Sequence, residues 1–167
     1  TFLTVEQAEQ MAEKGIAWDP TITAYTVLYE FTKEIIASGA DPSDRIAAKA
    51  IRDMGFFEPA YFAYKNNFKK LYDTGVTVLA GSDMVLYNAP PLPINRELSL
   101  MVEYGITPLQ AIQTATGNPA RVLGIESLTG QLKEGLQADL IVVEGNAAED
   151  ITALNRLKVV FMGGKEV

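Results

Sequence analysis

Val76-Thr77-Val78-Leu79-Ala80-Gly81-Ser82-Asp83 is the stretch on which the reading of this chain turns. Five apolar or β-branched residues follow one another without alternation, the pattern of a strand buried on both faces, as in a parallel sheet. Gly81 ends the run and Asp83 is delivered at its carboxyl end. In α/β barrels and open α/β sheets, ligands and reacting groups collect at that end. Asp83 has two readings there: the cap of a turn or of a following helix, or a reacting carboxylate. The segment after it, with Pro90, Pro91 and Pro93, favours the second. A long irregular connection directly after a buried strand is usually functional.

Bulk properties narrow the possibilities. The chain has 167 residues, enough for one sizeable core and a small appendage. Apolar residues make up 48% and charged residues 21%, an ordinary globular balance. A net charge of −7 argues against a nucleic-acid surface, which needs clustered Lys and Arg. No basic amphipathic stretch suggests a membrane surface, and no apolar run approaches the ~20 residues of a span. A cytoplasmic protein is the default expectation. There is no Cys, so disulfides, thiolate metal sites and Cys nucleophiles are excluded. There is no His either, which removes the commonest general base and the commonest metal ligand.

Outward from the central stretch, helical signals alternate with short strands. Thr4-Val5-Glu6-Gln7 is a capping box ahead of an apolar stripe of Val5, Ala8, Met11 and Ala12, which Gly15 closes. Ile16-Ala17-Trp18 reads as a short strand, and a helix begins near Thr23 with Tyr25, Leu28, Tyr29, Thr32, Ile35 and Ile36 on one face. Asp41 is expected to cap a short helix with Pro42 at its first position, broken at Gly55-Phe56-Phe57. Pro59 is expected to open a separate helix with Tyr61, Tyr64, Phe68, Leu71 and Tyr72 packed together. Beyond the Pro-rich loop come a helix from about Leu98, a second capping box at Thr107-Pro108-Leu109-Gln110, and a short helix opened by Asn118-Pro119. After Gly130 the periodicity turns to β: Leu140-Ile141-Val142-Val143, then Val159-Val160-Phe161-Met162 with a Gly163-Gly164 hairpin turn.

The succession from Ala80 onward resembles the C-terminal part of the metal-dependent amidohydrolase superfamily. It is closest to the imidazolonepropionase-like and Xaa-Pro dipeptidase-like (prolidase-like) members. The segments that carry the likeness are Ala80-Gly81-Ser82-Asp83, Arg96-Glu97-Leu98, Glu103-Tyr104-Gly105-Ile106-Thr107-Pro108, Asn118-Pro119-Ala120-Arg121-Val122-Leu123-Gly124, Gly130-Gln131-Leu132-Lys133-Glu134-Gly135 and Ala138-Asp139-Leu140-Ile141-Val142-Val143. Ile16-Ala17-Trp18-Asp19-Pro20-Thr21 resembles the approach to that family's seventh barrel strand. The resemblance implies an α/β fold: the C-terminal portion of a TIM (β/α)8 barrel over residues 1–124. Residues 125–167 would be a short β segment belonging to a small β-sandwich. It also implies that Asp83 ends the eighth strand as both metal ligand and general base, for a divalent ion, zinc above all, present as one or two ions in the full-length protein. One carboxylate oxygen would hold the ion and the other take a proton from the water it activates. The family's remaining ligands, an H-x-H, a carboxylated Lys or Glu and two further His, have no counterpart here. The expectation is therefore a C-terminal fragment of a longer hydrolase cleaving a C–N bond of a cyclic amide or dipeptide, inactive and metal-free by itself.

Other residues have plainer readings. Ser82 is a turn residue, Arg96-Glu97 an adjacent charged pair at a helix start, Asn118 a helix cap, and Asp139 a structural residue at the join to the β segment. Of the tyrosines, Tyr25 and Tyr61 lie on core-facing stripes, which leaves Tyr87, in the loop beyond Asp83, as the substrate-contact candidate. A different reading makes the chain a non-catalytic half-barrel module that covers its open sheet edges by oligomerising. In the hydrolase reading, too, an isolated piece of barrel exposes core and is expected either to be poorly soluble or to associate with copies of itself as a homo-oligomer. A metal-free enzyme built on Asp83 or Glu97 lacks the paired carboxylates such chemistry requires.

Overall fold

The computed structural model describes residues 2–83 and 93–167. Helix α1, Val5–Glu13, starts on the expected capping box: the Thr4 hydroxyl accepts from the Gln7 N–H, and the Gln7 side chain accepts from the Thr4 N–H. Its Ala8 is fully buried. The chain then enters the Ile16–Trp18 segment, whose Trp18 forms a parallel bridge to Val78. The pairing is explicit in two bonds, Trp18 N–H to Thr77 O and Leu79 N–H to Trp18 O, both 2.8 Å. On the central stretch Val76 and Val78 are buried, whereas Thr77, Leu79 and Ala80 are half-buried. Burial on both faces was expected; one face of this stretch carries the core.

The second edge of the central stretch is also engaged. The Ala80 N–H donates to Thr114 O at 2.9 Å, and the Asn118 amide donates to Val78 O at 2.9 Å. Asn118 is therefore not the cap it was expected to be. It lies inside α6, Gly117–Val122, whose N-cap is Thr116, and its side chain clamps the strand instead. Helix α5, Pro108–Ala115, does begin on the second capping box, with Pro108 in the first turn, where its missing N–H costs nothing.

Helices α2, Ile22–Ala37, and α3, Arg45–Tyr72, form the largest helical pair. Two expectations fail here. Asp41 only closes a turn onto the Ser43 N–H, and the cap of α3 is Asp44, which accepts from Ile46 and Ala47. The break at Gly55 and the restart at Pro59 do not occur, because α3 runs through both. An interior proline costs ~3 kcal/mol, since it loses an N–H and crowds the carbonyl four residues back. That carbonyl belongs to Gly55, and contacts with α2 on both sides of the proline offset the cost. Phe56 meets Tyr25 at 6.1 Å, and Tyr61 stacks on Tyr29 at 4.5 Å. Such pairs contribute about 0.5–1.5 kcal/mol each beyond their buried area. Tyr64 and Phe68 flank Trp18, and the Tyr64 hydroxyl donates to Pro20 O at 2.7 Å. The aromatic row is core, as its spacing implied.

Helix α4, Ile94–Glu103, buries Leu98, Leu100 and Met101. After α6 the structure turns to antiparallel β: β1 Leu140–Val143, β2 Leu157–Met162 and β3 Lys165–Glu166, with a 3-10 turn over Ile151–Asn155. Gly163 and Gly164, at φ of 56° and 80°, make the two-residue turn between β2 and β3, a conformation that suits glycine at both positions. Asp139 ties this turn to the start of β1 by accepting from the Gly163 N–H at 2.7 Å. Among the described residues no helix is long and apolar enough to cross a membrane.

Candidate active site at the strand ends

The parallel bridge places two carboxylates at the same end of neighbouring segments. Asp83 follows the Val76–Ala80 stretch and is exposed, with its backbone in the left-handed region at φ 43°. Asp19 follows Trp18. Although Asp19 as a whole remains exposed, its carboxylate lies against the backbone at Gly81, close to the N–H groups of Thr21 and Gly81. Burial of that carboxylate pushes it above its ordinary range, the two N–H groups oppose the shift, and the negative charge of Asp83 adds to it. Gly81 is required at this approach. A Cβ there would overlap Asp19 Oδ2 and stand 2.8 Å from its Cγ.

Behind this pair sits a third carboxylate that the sequence reading treated as an ordinary surface charge. Glu97 is fully buried. Its Oε1 accepts from the Ile22 N–H at 2.9 Å and its Oε2 from the Thr23 N–H at 2.7 Å. These are first-turn donors of α2, which Thr21 does not cap with its own side chain. A helix start has unsatisfied donors and a partial positive charge, so a carboxylate from another helix fits it well. Burial pushes the Glu97 carboxyl up, Thr23 and Ile22 pull it down, and the nearby charge of Asp19 pushes it further up. Arg96 does not pair with Glu97; its guanidinium reaches Glu30 of α2 at 3.2 Å.

Glu97 was missed because its partners lie 75 and 74 residues away in sequence. One signal was available. Positions 97, 100, 101 and 104 follow a helical core spacing, and Leu100, Met101 and Tyr104 are all buried. A Glu in that register is either a buried acceptor or an error of register. Asp19 gave less warning, since Asp before Pro is an ordinary strand stop.

The other candidates fall as follows. Tyr25 packs on Tyr64 at 5.4 Å and Tyr61 on Tyr29, so both serve the helix pair. Tyr87 lies outside the described residues. Ser82 is half-buried between Gly81 and Asp83. Among the described residues no group of three or more His, Cys, Asp or Glu could hold a metal ion. Among the described residues, what could face a metal at this end of the paired segments is the single exposed carboxylate of Asp83, which is a partial donor set only.

Comparison with known proteins agrees with the sequence pattern. The model of the Amidohydrolase family matches residues 65–167. Imidazolonepropionase of Geobacillus kaustophilus is 30% identical, over 98% of this chain and 43% of that protein. Ochratoxinase of Aspergillus niger is 44% identical over 96 residues, 54% of this chain and 19% of the enzyme. A crystal structure of a Xaa-Pro dipeptidase with methionine bound in its active site superposes with a TM-score of 0.80 at 30% identity, covering 99% of this chain and 38% of that one. The chain therefore spans about two fifths of the length of the relatives that match it throughout. With more than half of its residues matching the family model and its whole described backbone matching the dipeptidase, the chain belongs to the amidohydrolase family.

Proposed function

We propose that this chain supplies the last strands of the (β/α)8 barrel, over residues 1–124, and one β segment of a composite sandwich, over residues 125–167, to a metal-dependent hydrolase. That hydrolase cleaves a C–N bond in a cyclic amide or a dipeptide. The names of the relatives support this substrate class: imidazolonepropionase on one side, Xaa-Pro dipeptidase on the other. Exposed Phe2 and Ile16 beside the Trp18 segment support continuation of the barrel there, as apolar surface next to a strand edge calls for a neighbour. The oligomer expected for the protein is part of the same reading.

The observation that carries the assignment is the position of Asp83. It is an exposed carboxylate at the carboxyl end of a segment that bridges its neighbour in parallel, with its backbone in the left-handed region that, glycine apart, Asn and Asp adopt most readily. In the proposed mechanism Asp83 would be this chain's residue for holding a divalent ion, zinc by preference, and would act as general base toward the attacking water. A divalent ion supplies acidification of water and polarisation of the scissile carbonyl. Asp83 then hands the proton to the leaving nitrogen, as a base that becomes an acid. The test is Asp83→Asn in the full-length protein, assayed on dipeptides and cyclic amides with metal content measured alongside. Loss of turnover with an unchanged unfolding transition is expected. Turnover at the wild-type rate overturns the assignment.

A further inference from the structure

Asp19 has no part in that mechanism, yet the structure gives it a definite mechanical place. It ends the segment that bridges in parallel to the one before Asp83, and its carboxylate lies against Gly81, with the N–H groups of Thr21 and Gly81 close by. It thus sits in the loop entering α2 and, at a second contact, meets the neighbouring segment at Gly81, two residues before Asp83. The fit at the second contact is close enough that Gly81 has no room for a Cβ. Backbone strain marks the same place. Among the described residues only Thr21 and Asp83 are non-glycine residues at positive φ, 48° and 43°. Each lies two residues beyond one end of the strap: Thr21 after Asp19, and Asp83 after Gly81. For a β-branched residue such as Thr this conformation costs on the order of 1–3 kcal/mol, so something must hold it. Glu97 holds the next two residues, Ile22 and Thr23, from the buried side.

We propose that Asp19 is a positioning residue of the hydrolytic site: its carboxylate straps the strand of Asp83 to the loop entering α2 and so fixes the direction in which the Asp83 side chain points. This rests on the reading of Asp83 as the reacting carboxylate. Asp19 itself contacts no reacting atom in this scheme. It acts through the Gly81 peptide, and its effect belongs to the chemical step rather than to substrate capture. A displacement of about 1 Å at a reacting group costs up to ~100-fold in rate.

The experiment compares Asp19→Ala, Asp19→Asn, Gly81→Ala and the double variant Asp19→Ala/Gly81→Ala in the full-length hydrolase, with Asp83→Asn as reference. Measured are kcat and KM on dipeptides, bound metal, and amide hydrogen exchange across residues 79–83. The expected result is a ~10–100-fold fall in kcat for Asp19→Ala and for Gly81→Ala, with KM within about twofold. Exchange at the Gly81 amide should quicken, and the double variant should resemble either single one, because both changes remove the same contact. If Asp19→Ala does not fold, Asp19→Asn, equal in size with one acceptor oxygen in place of two, carries the same test. Wild-type kcat in the Asp19 variants, unchanged exchange at Gly81, or multiplying losses in the double variant overturns the strap while an inactive Asp83→Asn leaves the reading of Asp83 standing. Retained turnover in Asp83→Asn overturns that reading and the strap's catalytic role together.

Discussion

Replacing Glu97 by alanine tests the buried bridge between α4 and α2. The change removes the acceptors of two N–H groups, those of Ile22 and Thr23, at distances of 2.9 and 2.7 Å. Ile22 and Thr23 are themselves fully buried, so water does not readily replace the lost oxygens. A buried donor left without a partner costs about 1–3 kcal/mol, and two such donors about 2–6 kcal/mol. The loss of negative charge at a helix start adds up to ~1 kcal/mol. Against this stands the relief of no longer burying a carboxylate, several kcal/mol in its own right but largely met by the two donors. The net expectation is a loss of about 3–5 kcal/mol. Glu97→Gln keeps one acceptor and should lose about 1–2 kcal/mol. The measurement is urea unfolding of the full-length protein, comparing midpoints at constant slope, with amide exchange at residues 22–23 as the local readout. An alanine variant within ~0.5 kcal/mol of the wild type would refute the bridge, because that is the range of an ordinary surface substitution.

Three further outcomes are expected. Asn118→Ala removes the amide bond to Val78 O and should cost about 1–2 kcal/mol, whereas Asn118→Asp, which cannot donate, should cost at least as much; a neutral alanine variant speaks against the clamp. Pro59→Ala restores an N–H inside the continuous α3 and should stabilise the protein by about 1–3 kcal/mol, read as a raised thermal midpoint; destabilisation would favour two separate helices. The pH response follows from the raised carboxyls of Glu97 and Asp19. An acid raised on folding contributes stability that is complete below its unfolded value, near 4, and is lost as pH rises through its folded value. Between pH 4 and 7 the wild type should therefore lose stability relative to Glu97→Gln as pH increases. A constant difference across that range would contradict the sign of the shift.

How far the strand-end site was legible can be judged residue by residue. The place of Asp83 just after the central stretch was legible, because an apolar run closed by Gly and followed by several prolines is a local pattern of the sequence. Glu97 was not, since a carboxylate that caps a helix 75 residues away looks the same in sequence as one facing water. The pairing of Asp19 with Gly81 was hidden for the same reason. Gly81 was read as the end of the apolar run, and the structure shows that it also makes room for the Asp19 carboxylate.

By itself the sequence determined the helix starts at Thr4 and Thr107, the hairpin turn at Gly163 and Gly164, the core role of the aromatic row, and the family. Each depends on residues within a few positions of one another, or on an ordered series of motifs, and is written in the chain. Only the tertiary structure decided that α3 runs through Pro59, that Asn118 clamps the Val78 segment rather than capping a helix, that Glu97 takes the first-turn donors of α2, and that the Asp19 carboxylate lies against Gly81. In each case a local preference of about 1–3 kcal/mol competes with contacts between segments far apart in the chain. Such contacts exist only once the fold has brought those segments together.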